Sequence, residues 1–406
     1  MKVRSCLLLG ISLLCYFVMV RLNILLFLFL SIFIVLVDKT SKAELRRILS
    51  TIVILLIVIG FVVFKAFSSI QMLVGYSVFA FSGISFIVDQ NKDRKEYGII
   101  DTLVYLFFFP KMMAGPIVRA SDFISQLTQQ QKWQDLALYK GFKLVLFGCF
   151  LKFIVADTLL DMDAELFGVS LFFQSLVWGV RFYMDFYSYS IIAVGLALWC
   201  GIKLPYNFDN PYSATSFRDF WTRWNITLTS WLRDYVYIPL GGSRTAKARM
   251  FLNILLTFVV SGLWHGISLP FLLWGCCHGV LLCVEKLACL SNERMTVIFK
   301  MLYRSLVVIT TMLLWQLFRF KNFEELLEYS ERIFVNSELE VQIIVSSLAA
   351  VVSLLVIESK FVKSLVFSMA TSRNHIIGEV SLMSLMLAVL LLCPYKYTFN
   401  FFYFNF

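Results

Sequence analysis

Apolar residues run through this chain in long unbroken stretches, and polar positions come between them in short bursts. Leu22–Val37, Ile52–Val63, Val341–Ile357 and Leu382–Cys393 carry no charged residue at all. A membrane-spanning helix needs roughly 20 mostly apolar residues, and shorter runs qualify when their polar flanks reach the headgroups. The pattern predicts about ten to twelve transmembrane or re-entrant helices. They are drawn from segments near 5–20, 22–37, 49–69, 72–89, 100–117, 141–157, 165–180, 183–202, 250–264, 268–286, 297–318, 341–358 and 379–394. The fold class is therefore all-α, a polytopic membrane protein. No linker, low-complexity tract or solenoid-length repeat interrupts it, so residues 1–406 are taken as one integral domain. The first run follows Lys2 and Arg4 with no small-x-small cleavage site after it, so a retained first helix is expected.

Composition sharpens this picture. Charged residues make up 15% of the 406 positions and hydrophobic ones 60%, where a soluble domain carries about 25% charged residues. The deficit points to a lipid-facing surface. The net charge of +10 is concentrated in loops, notably Asp38–Arg47 and Asn91–Tyr97. Cytoplasmic loops carry the Lys/Arg excess, and two spans before each loop put both on the side of the N-terminus, the cytoplasm. The basic excess thus reads as topology and headgroup contact, not as nucleic-acid binding. The nine cysteines stand singly or in "GCCHG", a spacing of neither a disulfide framework nor a zinc site.

Two interruptions break the apolar rhythm. In "FFFPKMMAGPIVRASDF" (Phe107–Phe123), Pro110, Gly115 and Pro116 cut a run otherwise long enough to span. Such breakers occur at membrane depth where backbone is buried in protein or lines a cavity; a helix that simply ends at the interface fits equally well. The second interruption, Lys203–Arg249, is too polar to span. Within it, Ser216–Tyr235 has helical period: Phe217, Phe220, Trp221, Trp224, Leu228, Trp231, Leu232 and Tyr235 share one face, with Arg218, Asp219, Thr222, Arg223, Arg233 and Asp234 opposite. Ser216 is placed to cap it with Asp219 at the box position, and Pro239, Gly241 and Gly242 to end it. An amphipathic helix of this kind lies in the membrane interface. Asn225 departs from that pattern, because a carboxamide at the edge of an aromatic face needs a hydrogen-bond partner on a neighbouring helix.

Only three histidines occur, and His265 and His278 fall in "SGLWHGISLPFLLWGCCHGVLL" (Ser261–Leu282), where water is scarce. Ionisable groups in membrane segments usually face the bundle interior or an aqueous cavity. Gly262 and Gly266 flank one imidazole and Gly275 and Gly279 the other, a spacing that permits close packing. A structural hydrogen-bonding role fits either histidine taken alone. No catalytic triad, HExxH, metal cluster or phosphate-binding glycine loop accompanies them. What remains is general base catalysis, an uncharged imidazole accepting a proton from an alcohol, with Asn225 orienting an acyl donor or stabilising an oxyanion. That pair suits direct acyl transfer from a thioester, which needs mainly positioning and one base.

"FPKMMAGPIVRASDF", "FRDFWTRWNITLTSWLRDYVYIPLGGSR" and "SGLWHGISLPFLLWGCCHG" together resemble the membrane-bound O-acyltransferase superfamily, and most of all its bacterial polysaccharide O-acetylation branch. The resemblance spans about Gly75 to Val284. It implies a multi-helix fold around a core tunnel, with His265 of the Trp-His-Gly motif as the catalytic residue and Asn225 at the second family position. Bacterial polysaccharide members often carry histidine at that position, so here His265 stands as the sole base. "WLRDY" makes Trp231, Arg233, Asp234 and Tyr235 candidates for lining or bracing the site, beside Trp224 and Trp264, and His278 takes a supporting place. The implied activity is transfer of an acetyl group to hydroxyls of a cell-surface or exported polysaccharide, in the cytoplasmic (inner) membrane. The donor is acetyl-CoA with no bound cofactor, the partners are membrane lipid, the polysaccharide acceptor and a separate extracytoplasmic acetyltransferase. D-alanyl transfer to teichoic acid from a carrier protein is the alternative within the class. A lipid- or protein-acylating enzyme is a third possibility. A transporter is the rival outside the class, although the duplicated halves common in transporters are not apparent.

Overall fold

The computed structural model describes residues 2–66, 75–129, 137–159, 166–288 and 296–367, and beyond them 380, 383–384, 386–388 and 391. The apolar segment expected at 379–394 thus lies largely outside the described residues. All regular structure among the described residues is helical. Two compact units are present, Met1–Val145 with Ile192–Tyr206, and Leu146–Ile191 with Asn207–Phe406.

In the first unit, α1 (Lys2–Val20), α2 (Ile24–Lys39), α3 (Ala43–Ala66) and α4 (Tyr76–Lys92) follow the apolar runs closely. Their inward faces meet in an aromatic core. Tyr16 packs edge-on against Phe27 and Phe107, and Phe27 against Phe79, with ring centroids 5.2–5.4 Å apart. Such pairs add about 0.5–1.5 kcal/mol beyond area burial. The two basic loops, which the charge pattern assigns to one side of the membrane, lie side by side. Gln90 donates to Asp38 at 2.9 Å, Lys39 to the Tyr97 carbonyl at 2.7 Å and Arg46 to Asn91 at 3.2 Å. Further on, α5 (Ile99–Phe107) ends at a short tight turn, Phe109–Lys111, before α6 (Ala120–Thr128). The break at Pro110–Pro116 is backbone buried in protein: Lys111 is 1% exposed, donates to Ser82 at 3.0 Å and sits 4.0 Å over the Tyr105 ring.

α7 (Leu138–Phe150) runs into one π-helical turn, Leu151–Ala156, followed by α8 (Gly168–Trp199). The sequence suggests two separate segments near 165–180 and 183–202. The structure has one helix of 32 residues there. Its polar positions do not end it, because Asp185 is satisfied inside: Lys152 on the π-turn donates to Asp185 at 2.6 Å and to Asp157 at 2.8 Å, with its own side chain 1% exposed. Of the apolar stretch of α8, 78% is buried, against 17% for α3. α8 is a core helix, whereas α3 turns most of its surface to lipid.

The second unit continues with two short helices, α9 (Phe217–Arg223) and α10 (Ile226–Leu232), then α11 (Lys247–His265), α12 (Leu269–Leu287) and α13 (Val297–Leu314). It closes with α14 (Phe323–Ile333), α15 (Val341–Ile357) and α16 (Lys360–Phe367). The charge-rich α14 lies outside the expected spans; Asn322 caps it by accepting from Glu325 N at 2.9 Å, and Tyr329 anchors it in a cluster with Leu166, Leu171, Phe320 and Ile343. Six helices among the described residues are long and apolar enough to cross a membrane, α1, α3, α8, α11, α12 and α13 with its following turn. The chain is a multi-pass membrane protein, and among the described residues α15 is a shorter apolar helix.

At the foot of α15, Glu358 reaches the 210–213 turn. Its carboxylate accepts from Tyr212 N and Ser213 Oγ, both at 2.9 Å, and its carbonyl from Asn210 Nδ2 at 2.6 Å. Burial pushes this carboxyl up to about 7, against the pull of those hydrogen bonds and of Arg223 and Arg304.

Two outcomes are expected. Lys152→Met leaves two carboxylates without their buried cation and destabilises the protein by about 3–5 kcal/mol, measurable by thermal unfolding in detergent. A carboxyl with a raised folded-state pKa contributes stability below its ordinary value, and that contribution is lost as pH rises through about 7. Between pH 5 and 8 the unfolding midpoint of wild type therefore falls relative to that of Glu358→Gln, by about 2 °C or more.

Candidate active site

The site is built on α9 and α10, and α9 begins as the sequence predicts. Ser216 Oγ accepts from Asp219 N at 3.0 Å, and Asp219 answers by accepting from Thr215 N at 3.0 Å and Arg223 Nε at 2.8 Å. Burial raises the Asp219 carboxyl, but the Arg223 and Thr215 hydrogen bonds outweigh it and hold the group below its ordinary value. Glu285 of α12 ties down the same helix start, accepting from Phe217 N at 2.6 Å, Arg218 N at 3.1 Å and the Tyr303 hydroxyl at 2.6 Å.

The continuous interfacial helix expected over 216–235 is not what forms. Asn225 takes a left-handed conformation, φ 40°, and splits the segment into two. A lone asparagine tolerates this conformation where most side chains do not. The aromatic face is then buried in protein and not in the membrane interface: Trp224 is 3% exposed and stacks on Trp315 at 4.5 Å. The Asn225 carboxamide is 7% exposed and has no hydrogen-bond partner on a neighbouring helix among the described residues. After α10 a π-helical turn, Arg233–Tyr237, leads to Gly241 and Gly242, whose positive φ angles end the segment where the sequence places its stop.

His265 is the last residue of α11 and is buried. Its ring lies among Trp264 at 4.2 Å, Phe318 at 4.6 Å, Trp274 at 5.3 Å and Phe271 at 6.2 Å. The glycines act as expected. A Cβ on Gly262 would collide with the Phe271 carbonyl, and one on Gly275 with the Phe258 carbonyl, so the α11–α12 hairpin closes backbone to backbone. His278 is 1% exposed between Trp221 at 4.9 Å and Trp274 at 5.0 Å. Neither of its ring nitrogens has a hydrogen-bond partner among the described residues.

Two cavities adjoin here. His265 and Asn225 line the same small one, about 10 Å³, enclosed by aromatic side chains including Trp224, Trp274 and Trp315. That volume is near the minimum that holds one water molecule. The other measures about 760 Å³ and includes Arg218, Arg233, Glu285 and Lys286 in its lining, a size typical of small-molecule sites. Trp221, Leu228 and Ser261 line both.

Of the residues singled out from sequence, His265, Asn225 and Trp224 meet at the small cavity and Arg233 lines the large one. Trp231, Asp234, Tyr235, Trp264 and His278 line neither. Trp231 packs on Tyr235 at 5.0 Å, and Asp234 pairs with Arg233 at 2.8 Å. Sequence reasoning passed over Trp221, Ser261, Trp274, Trp315 and Phe182. Ser261 carried a signal, one helical turn before His265, whereas Trp315 and Phe182 lie far away in sequence and carried none.

A model of the MBOAT, membrane-bound O-acyltransferase family matches residues 14–315. The chain is similar to the probable alginate O-acetylase AlgI of Pseudomonas syringae pv. tomato, 32% identical over 61% of this chain and 49% of the relative. It is similar to the peptidoglycan O-acetyltransferase of Helicobacter pylori, 33% identical over 56% of this chain and 45% of the relative. The teichoic acid D-alanyltransferase of Bacillus subtilis is 29% identical over 51% and 57%. The chain spans about half the length of these curated relatives. Every residue lining the two cavities falls inside the family match, and the chain belongs to the membrane-bound O-acyltransferase family.

Proposed function

We propose that the chain is an O-acyltransferase of the inner membrane, moving an acetyl group from acetyl-CoA towards hydroxyls of a cell-surface or exported polysaccharide. The observation that carries this reading is His265 and Asn225 lining one small cavity beside a large, cation-lined one. His265 takes the proton of the attacking hydroxyl as its oxygen bonds to the thioester carbonyl carbon. The carbonyl electron pair moves onto its oxygen, towards the Asn225 carboxamide. Collapse breaks the C–S bond, and the leaving thiolate takes the proton from the imidazole.

The large cavity suits the donor. Arg218, Arg233 and Lys286 outnumber the one acid, Glu285, in its lining, with Arg233 also paired to Asp234. Such a lining favours the phosphates of a CoA thioester. Trp224, Trp231, Asp234, Tyr235, Trp264 and His278 brace the two working residues. Relatives named for alginate and peptidoglycan O-acetylation support a carbohydrate-polymer acceptor, reached through a separate extracytoplasmic acetyltransferase. Similarity to a teichoic acid D-alanyltransferase favours, as second reading, a D-alanyl group from a carrier protein.

The test is acetyl transfer to surface glycan in cells, with membrane insertion confirmed. His265→Ala is expected to lower it about 10²–10⁴-fold. Asn225→Gly is expected to lower it about 10²–10³-fold while unfolding near the wild-type temperature, because glycine accepts the positive φ. Unchanged acetylation in both variants would remove the assignment. Dependence on an alanyl carrier in place of CoA would move it to the second reading.

A further inference from the structure

We infer that Trp221 is the partition that limits the transferred group to acetyl size; the inference rests on the acyl-transfer reading above. The indole lines the large cavity and the small one, together with Leu228 and Ser261. A thioester carbonyl that reaches His265 from the large cavity must pass between these three side chains. Beyond them only about 10 Å³ remains, room for roughly one water molecule or one methyl group.

The far wall does not yield. Trp224 stacks on Trp315 at 4.5 Å, Phe182 on Trp224 at 6.1 Å, and Trp274 lies 5.6 Å from Trp315. Trp315 and Trp274 are 1% exposed, so an acyl chain longer than acetyl would have to displace core side chains. Trp221 itself is wedged between Phe258 at 5.1 Å on α11 and Trp274 and His278 at 5.7 and 4.9 Å on α12. It cannot swing aside while the glycine-packed hairpin holds. Truncating this one side chain joins the small cavity to a volume of about 760 Å³, where a longer chain can lie back beside its own thioester.

The experiment uses the full chain in lipid nanodiscs. Thiol release is followed from acetyl-, propionyl-, butyryl- and octanoyl-CoA, with water or added glycan as acceptor. Wild type is expected to turn over acetyl-CoA at least tenfold better than butyryl-CoA. Trp221→Ala is expected to raise the butyryl-to-acetyl ratio of kcat/KM at least tenfold, and Leu228→Ala, which lines the same two cavities, to admit propionyl. Trp221→Phe, which keeps most of the packing, falls between wild type and Trp221→Ala and stands in if the alanine variant does not fold. A ratio unchanged in Trp221→Phe and Leu228→Ala, or a wild type that accepts butyryl-CoA as readily as acetyl-CoA, overturns the inference while leaving acyl transfer intact. A wild type that releases no thiol from acetyl-CoA overturns the functional reading, and the partition with it.

Discussion

The left-handed turn at Asn225 is the constraint on which the site depends. A non-glycine residue at φ 40° stores strain on the order of 1–3 kcal/mol, and the segment around Asn207 offsets it. The Asn207 carbonyl accepts from Ile226 N at 2.9 Å, and its side-chain oxygen from the Thr227 hydroxyl at 2.5 Å. On the other side of the turn, Asp209 N donates to the Arg223 carbonyl at 3.0 Å. At about 1 kcal/mol each, three such bonds are enough to hold the strain. Their effect is directional: α9 and α10 no longer share an axis, so Trp221, Asn225 and Leu228 converge on one cavity.

Two carboxylates fix the ends of this construction. Glu285 holds the start of α9 against α12, and Glu358 holds the 210–213 turn against the foot of α15. Both spend their oxygens on backbone N–H groups and hydroxyls, hydrogen bonds that offset the cost of keeping an acid partly out of water. C-terminal helices with no motif of their own thus contribute to the site by supporting the segment that carries it.

Membrane character, the capped start at Ser216 and the close packing at the glycines beside His265 and His278 were all legible, because each rests on local composition or spacing. The break at Asn225 was not, because apolar residues continue at helical period straight through it; what ends the helix is Asn207, eighteen positions upstream. The same limit hid the unity of α8. Arg181 and Asp185 look like a polar interruption until Lys152, brought in by a π-helical turn, neutralises the buried acid. The aromatic enclosure was half legible. Trp274 stands within a quoted motif, but Phe182 and Trp315 come from helices whose periodicity says only that one face is buried.

That enclosure also decides how water is managed. A thioester beside an activated hydroxyl is exposed to hydrolysis wherever water moves freely, and many sites meet this by closing a loop over the substrate. Here the ring stack around His265 already restricts the space to about 10 Å³. Gly262 and Gly275 let the two helices of the hairpin that carries Trp274 close backbone to backbone. Exclusion by packing asks for no moving part, and its cost is a pocket that cannot adapt to larger groups. On the acyl-transfer reading, shelter from bulk water and narrow acyl size are one property of the same wall, and a residue that relaxes the second also admits more water to the first.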